Sequence, residues 1–119
     1  MRKKRLIFYG MGGHARVLLD SLSCRGDVLA AIDSGKSSGD LFTGIPIIDE
    51  EAALDQYFPE QIFFVNAVGF VEDSGPRRNI GQRIRRLGYR FFTVIHPQTI
   101  VADDVQLDEG AQVMAGAIL

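Results

Sequence analysis

From Leu6 to Ile95 the chain alternates short unbroken apolar runs with segments whose apolar residues fall on one helical face, and this alternation restricts the fold more than any single residue does. "LIFY", Leu6 to Tyr9, is bounded by glycine and suits a short buried strand. Val17, Leu18, Ser21 and Leu22 then line a helix that Gly26 ends, and "VLAAI", Val28 to Ile32, forms a second strand closed by Asp33. "SGKSSGD" reads as a loop, and "GIPII" as a short extended piece kept near a sheet edge by Pro46. Asp49 is placed to N-cap the helix "EEAALDQYF", with Glu50 and Glu51 in the first turn where the helix dipole favours them. "QIFFVNAV" is the third strong strand. Ser74 and Pro76 open another helix, with Ile80, Ile84 and Leu87 as its buried stripe and Gly88 as its stop, and "FFTVI" is the fourth strand.

Strands alternating with helices imply a parallel sheet with right-handed crossovers, because each connection must return over a face of the sheet. The expected fold is α/β, a Rossmann-like doubly wound parallel sheet of order 2-1-3-4. Direction then switches between the first and third strands, where open α/β sheets hold their ligands. The loops leaving those two strands are Gly10 to Ala15 and Val68 to Gly75.

After His96-Pro97 the period changes. Val101, Leu107, Val113 and Leu119 recur every six residues, Val105, Ala111 and Ala117 recur at the same interval, and Gly110 and Gly116 keep step. A six-residue period with an aliphatic at one place and a small residue at another is the hexapeptide signature of a left-handed parallel β-helix. The expected division is therefore a sheet domain over 1–97 and the first β-helical coil over 98–119. Stacked coils need neighbours to bury their core, so the chain is expected to stop where a larger domain would begin.

Composition narrows the partners. A chain of 119 residues, 46% hydrophobic, has room for one compact core. A net charge of −2 and a pI near 5.6 supply no basic field for a phosphate backbone, so nucleic acid is not an expected partner. "MRKKR" is followed by too short an apolar run for a signal peptide, and no run reaches membrane-spanning length. The single cysteine, Cys24, excludes an internal disulfide, falls inside an expected helix, and fits a reducing cytoplasm. No metal-ligand spacing, Ser/His/Asp arrangement or Cys/His pair is visible, and the basic lead-in from Arg2 to Arg5 reads as a solvated entry to the first strand.

"GMGGHA" sets Gly10, Gly12 and Ala15 in the G-x-G-x-x-A register between a strand and a helix. Gly10 permits the tight turn, Gly12 lets backbone approach an anion, and Ala15 lets the helix pack on the sheet; a turn chosen for geometry alone is the other reading. His14 stands at the helix N-terminus, a position suited to a hydrogen bond with a ligand, or simply to a solvent-exposed turn. Asp33 lies about 20 residues beyond the glycines, where an acid reaches a ribose hydroxyl or closes a loop. Gly69 would admit backbone to the ligand from across the switch point. Of the six arginines on and after the next helix most form a solvated face, while Arg77 and Arg78, in its first turns, are candidate phosphate contacts. Asn66 and His96 read as structural, the latter held extended by its proline.

Taken in order, "YGMGGHARVLLDSL", "AAID", "GIPII", "VNAVG", "LGYRF", "VIHP" and "AQVMAGAIL" resemble the NeuD/PglD-like sugar acyltransferases over almost the whole chain. The resemblance implies an N-terminal domain that holds a nucleotide-activated amino sugar, typically a UDP-sugar. It also implies a C-terminal β-helix that trimerises and takes acetyl-CoA as co-substrate. On the substrate side it points to Gly12, Gly13, His14, Asp33 and Gly69. The family's assisting histidine lies within the β-helix, and no position of this sequence matches it, so no catalytic residue and no resident cofactor are assigned. Ser34 stands where the family often has a second acid, and Asp49 where a glycine often follows the "GIPII" segment. Two other classes fit parts of the chain. Gly10, Gly12, Ala15 and Asp33 also suit an NAD(P)-dependent oxidoreductase, against which the hexapeptide tail speaks, and a non-catalytic regulatory or assembly module would keep the sheet without the reaction.

Acyl transfer needs a base for the attacking amine or hydroxyl and donors for the tetrahedral oxyanion. Neither is evident in residues 1–119, so the expected outcome is no acetyl-CoA-dependent transfer and no stable trimer from this polypeptide alone. Incubation with acetyl-CoA and a panel of UDP-amino sugars, read by mass spectrometry, checks this; enzyme-dependent acetylated product would refute it.

Overall fold

A computed structural model describes residues 5–22, 27–33, 41–42, 44–68 and 75–119. In chain order the elements are β1 (Leu6–Tyr9), α1 (Gly13–Ser21), β2 (Val28–Ile32), β3 (Leu41–Phe42), β4 (Ile45–Ile48), α2 (Glu50–Gln56), β5 (Phe63–Asn66), α3 (Gly75–Arg86), β6 (Val94–Ile95) and β7 (Gln112–Val113). The main sheet runs β3-β4-β2-β1-β5, with β1 parallel to both β2 and β5.

The fold is the α/β doubly wound sheet that the alternation implies, with two additions. β4, the "GIPII" segment, pairs parallel with β2 beyond its far edge, and β3 closes that side antiparallel to it. On the opposite side the fourth strand is short. Phe91 bridges Phe64 in parallel, held by the Phe64 N–H on the Arg90 carbonyl and the Phe92 N–H on the Phe64 carbonyl, 2.9 and 2.8 Å. Val94 and Ile95 then leave the main sheet for a different partner, β7.

Side chains of β1 alternate between two cores, as a strand buried on both faces must. Leu6 and Phe8 face Ala15, Leu18 and Leu19 of α1 together with Val94, whereas Ile7 faces Ala53 of α2, Ile84 of α3, Phe64 and Phe91. The buried stripe of α1 is thus Ala15, Leu18 and Leu19 with Leu22 against it, the i, i+3, i+4, i+7 pattern. Val17, expected inside, is 48% exposed because it lies on the neighbouring face. In α3, Ile84 is buried and Ile80 packs against the core, but Leu87 is 50% exposed. It falls just past the last helical residue, where the Gly88 N–H turns back to the Arg85 carbonyl. Asp49 caps α2 as expected, Oδ1 accepting from the Ala52 N–H at 2.7 Å. The helix stop expected at Gly26, the opening at Ser74 and the position of Cys24 lie outside the described residues.

The C-terminal segment stacks on itself. Val94 faces Gln112, Ile95 faces Val113 and Ile100 faces Ile118, all in parallel and all eighteen residues apart. Backbone bonds from Val94 N–H to the Ala111 carbonyl, His96 N–H to Val113 and Ile100 N–H to Ala117 keep that offset, at 2.9, 2.9 and 3.0 Å. Three hexads therefore make one closed circuit. Gly110 and Gly116, six residues apart, both take positive φ, +81° and +82°. Val113 is buried, and Val94 and Met114 join the core that α1 covers.

Phe64 sits where these layers meet: fully buried, edge-on to Tyr89 with ring centres 5.1 Å apart, and at the base of the bridge to Phe91. Phe64→Ala is expected to lower the free energy of unfolding by about 3–5 kcal/mol, measured by urea denaturation with circular dichroism.

Candidate functional site

The parallel register brings Tyr9 and Asn66 side by side, with Ile32 beside Tyr9, at the C-terminal edge of the sheet. Here β1 has β2 on one side and β5 on the other, the switch point of the topology. The turn after β1 is anchored from both sides, by the Gly10 N–H on the Ile32 carbonyl at 2.7 Å and the Ala67 N–H on the Tyr9 carbonyl at 2.9 Å. Gly10 has φ +103°, and a Cβ there would lie 3.0 Å from the backbone of Ala67 and Val68. Both the dihedral and the close approach exclude a side chain.

Gly12 and Gly13 differ from Gly10. Gly12 has extended backbone, and a Cβ at either position would meet nothing within 4 Å. Gly12 is the N-cap of α1, and the first N–H groups of a helix have no intrahelical acceptor. An open glycine edge with oriented N–H donors suits an anion at close range. Beside it lies a cleft of about 290 Å³ lined by Tyr9, Gly10, Met11, Gly12, Asp33 and Ile80, among others.

The acidic and basic candidates are placed as follows. Asp33 Oδ2 accepts from the Met11 N–H at 2.9 Å, so this carboxylate braces the glycine turn while lining the cleft. Arg77 turns inward: Nη1 donates to the carbonyls of Asn66 and Val68 at 2.9 and 3.1 Å, and Asn66 Nδ2 donates back to the Arg77 carbonyl. Burial pushes the Arg77 guanidinium below its ordinary pKa. It serves the end of β5, not the cleft opening. Arg78 lines a separate groove of about 430 Å³ between α3 and the C-terminal segment, with Asn66, Gln82, Arg85, Phe91 and Gly110. Gly69 lies outside the described residues.

His14 reaches across to the C-terminal segment. Its Nε2 lies 2.8 Å from Gln112 Oε1, and Gln112 Nε2 donates to the Asn66 carbonyl at 2.8 Å. Sequence reasoning had no signal for Gln112: it is 98 residues from its partner, and the hexad pattern marks only its neighbour Val113 as inward. At the rim of the cleft the Tyr9 hydroxyl donates to Glu50 Oε1 at 2.7 Å and accepts from Arg83 Nη2 at 2.9 Å, while Arg83 and Glu50 form an ion pair at 2.6 Å. Burial, followed by the hydrogen bond and the negative charge of Glu50, raises the Tyr9 phenol above its ordinary pKa against the opposing pull of Arg83. This trio ties α2 to α3 across the end of β1. Among the described residues no cluster of His, Cys, Asp and Glu could hold a metal ion, and no helix is long and apolar enough to cross a membrane.

The two classes of glycine are separable by mutation. Gly10→Ala is expected to cost about 2–4 kcal/mol through the forced dihedral and the backbone clash, and Gly12→Ala less than about 1 kcal/mol, both read from urea midpoints at constant slope.

Comparison with known proteins places this geometry in a family. The family model of the PglD N-terminal domain matches residues 5–84. UDP-N-acetylbacillosamine N-acetyltransferase of Bacillus subtilis (strain 168) is 31% identical over 118 residues, covering 94% of this chain and 52% of that protein. A perosamine N-acetyltransferase variant from Caulobacter crescentus, solved with CoA and GDP-perosamine, superposes with a TM-score of 0.79 at 29% identity, over 97% of this chain and 53% of that one. The acetyltransferase domain of PglB from Neisseria gonorrhoeae, solved with acetyl coenzyme A, gives 0.78 at 27% identity, over 98% and 56%. The chain spans about half the length of these relatives. With the family model matched across the whole sheet region up to α3, the chain belongs to the family of the PglD N-terminal domain.

Proposed function

We propose that this chain supplies the nucleotide-sugar-binding part of a sugar acetyltransferase. In this reading the diphosphate of a UDP-amino sugar rests against Gly12 and Gly13 and the first N–H groups of α1. The observation that carries it is the contrast between Gly10, whose missing side chain the fold itself requires, and Gly12 and Gly13, whose missing side chains leave open space at the switch point. An open glycine pair at a helix N-terminus has a ready use if a ligand comes within van der Waals reach of the backbone.

Asp33, lining the cleft floor next to Ile32, suits a hydroxyl of the nucleoside. Gly69 is a further proposed contact, and Arg78 is proposed as a contact only for a ligand that extends into the groove between α3 and the C-terminal segment. The eighteen-residue circuit supports reading 98–119 as the first coil of a left-handed β-helix, the element that in the full-length family would carry acetyl-CoA and trimerise. Transfer moves the acetyl group from the thioester sulfur to the sugar nitrogen; the amine gives up a proton and CoA leaves as the thiol. The part this chain plays is to hold and orient the acceptor sugar. One relative is a UDP-N-acetylbacillosamine N-acetyltransferase and another was solved with GDP-perosamine; for this chain the base proposed is uracil.

Isothermal calorimetry on the full chain is expected to show saturable binding of UDP and UDP-glucosamine, weaker or absent binding of GDP-mannose, and none of NADH. Gly12→Val should weaken UDP binding at least tenfold, or about 1.4 kcal/mol, with the fold intact. Saturable NADH binding without a UDP response would overturn the assignment.

A further inference from the structure

Gln112 joins the C-terminal circuit to the glycine turn through one side-chain amide. Its Nε2 donates to the Asn66 carbonyl, an atom that can only accept, and this fixes which way the amide faces. Oε1 is therefore the atom 2.8 Å from His14 Nε2, and an amide oxygen can only accept. The shared hydrogen must sit on His14 Nε2. In a neutral imidazole the other nitrogen is then a bare lone pair. Among the described residues Nδ1 has no hydrogen-bond partner, while no buried side-chain nitrogen or oxygen is left without one, so Nδ1 is not sealed from solvent. His14 follows directly on Gly12 and Gly13, the open edge of the turn.

We propose that Gln112 is a positioning residue that locks His14 in the Nε2–H tautomer, so that the ring offers a ligand only an acceptor and selects a sugar amine or hydroxyl over a phosphate oxygen. This rests on the nucleotide-sugar reading above and deepens it. A phosphate is itself an acceptor and has nothing to gain from a bare Nδ1. An amine held there would be oriented by a group whose proton is already committed to Gln112. The bond that sets this selectivity comes from the C-terminal circuit, so the sugar end of the site is incomplete without residues beyond the sheet.

The test is long-range 15N–1H correlation NMR on the full chain at about pH 8.5, where imidazole is neutral. Only two histidines are present, and loss of one set of signals in His14→Asn assigns them. Wild type is expected to show a pure Nε2–H pattern for His14 and Gln112→Leu a mixture of tautomers. In parallel, the affinity gained by UDP-glucosamine over UDP should fall about fivefold in Gln112→Leu, the worth of one neutral hydrogen bond, with UDP affinity unchanged. A mixed tautomer in wild type, or an unaltered one in Gln112→Leu, overturns the proposal. So does an equal loss of UDP and UDP-glucosamine binding, which marks general loosening. Wild type that binds neither UDP, UDP-glucosamine nor GDP-mannose refutes the nucleotide-sugar reading and the ligand half of this proposal together, whereas the tautomer pattern fails only if the lock itself is absent.

Discussion

The close passage of two backbones at Gly10 is the constraint on which the rest of the site depends. Where β1 ends, its chain runs against the backbone of Ala67 and Val68 leaving β5, so close that a Cβ on Gly10 would lie 3.0 Å from that backbone. Because the Gly10 N–H is held by Ile32 and the Tyr9 carbonyl by Ala67, three strand ends are fixed relative to one another by main-chain bonds alone. Helix α1 starts from that fixed point, so the direction of its N-terminus follows from the sheet. Packing of Ala15, Leu18 and Leu19 on the sheet then holds it there.

The polar side chains around this edge mostly address backbone. Asp33 holds Met11, Arg77 holds Asn66 and Val68, and Gln112 holds Asn66 as well. Each braces a segment that irregular geometry would otherwise leave with unmatched carbonyls or N–H groups. These charged and amide groups stiffen the edge of the cleft by holding main chain, and the glycine edge itself is left open. Arg77, which its position in the helix alone would suggest as a phosphate contact, instead holds the carbonyls of Asn66 and Val68.

What could be read from sequence follows from what each signal physically encodes. Strand and helix alternation is local, so β1, α1, β2, α2, β5 and α3 and the switch point were legible, as was the Asp49 cap. The six-residue period was legible because each hexad repeats the same burial problem. Less legible were the two places where local pattern meets tertiary context. "FFTVI" reads as one strand, yet its first residue bridges the sheet and its last two pair with β7, a choice made by partners that no window contains. Val17 and Leu87 have the hydrophobicity of core residues and lie outside it, Val17 through a rotation of the helix face and Leu87 through its place past the helix end. Among the site residues, a glycine's role can be anticipated because few other residues tolerate such turns. Arg77 and Gln112 could not be anticipated, since their use is set by contacts formed only after folding.

The shared core has a consequence for how the molecule comes apart. The repeat pattern changes at His96-Pro97, yet Val94 on one side and Met114 on the other pack into the same cluster as α1, and hydrogen bonds to Ala111 and Val113 cross the same junction. A change of sequence period is therefore not a seam in free energy. Opening the C-terminal circuit exposes apolar surface of the sheet core, and loosening the sheet removes the platform on which the circuit closes. Packing and hydrogen bonds thus couple the two regions across the junction, so that opening one removes buried contacts of the other.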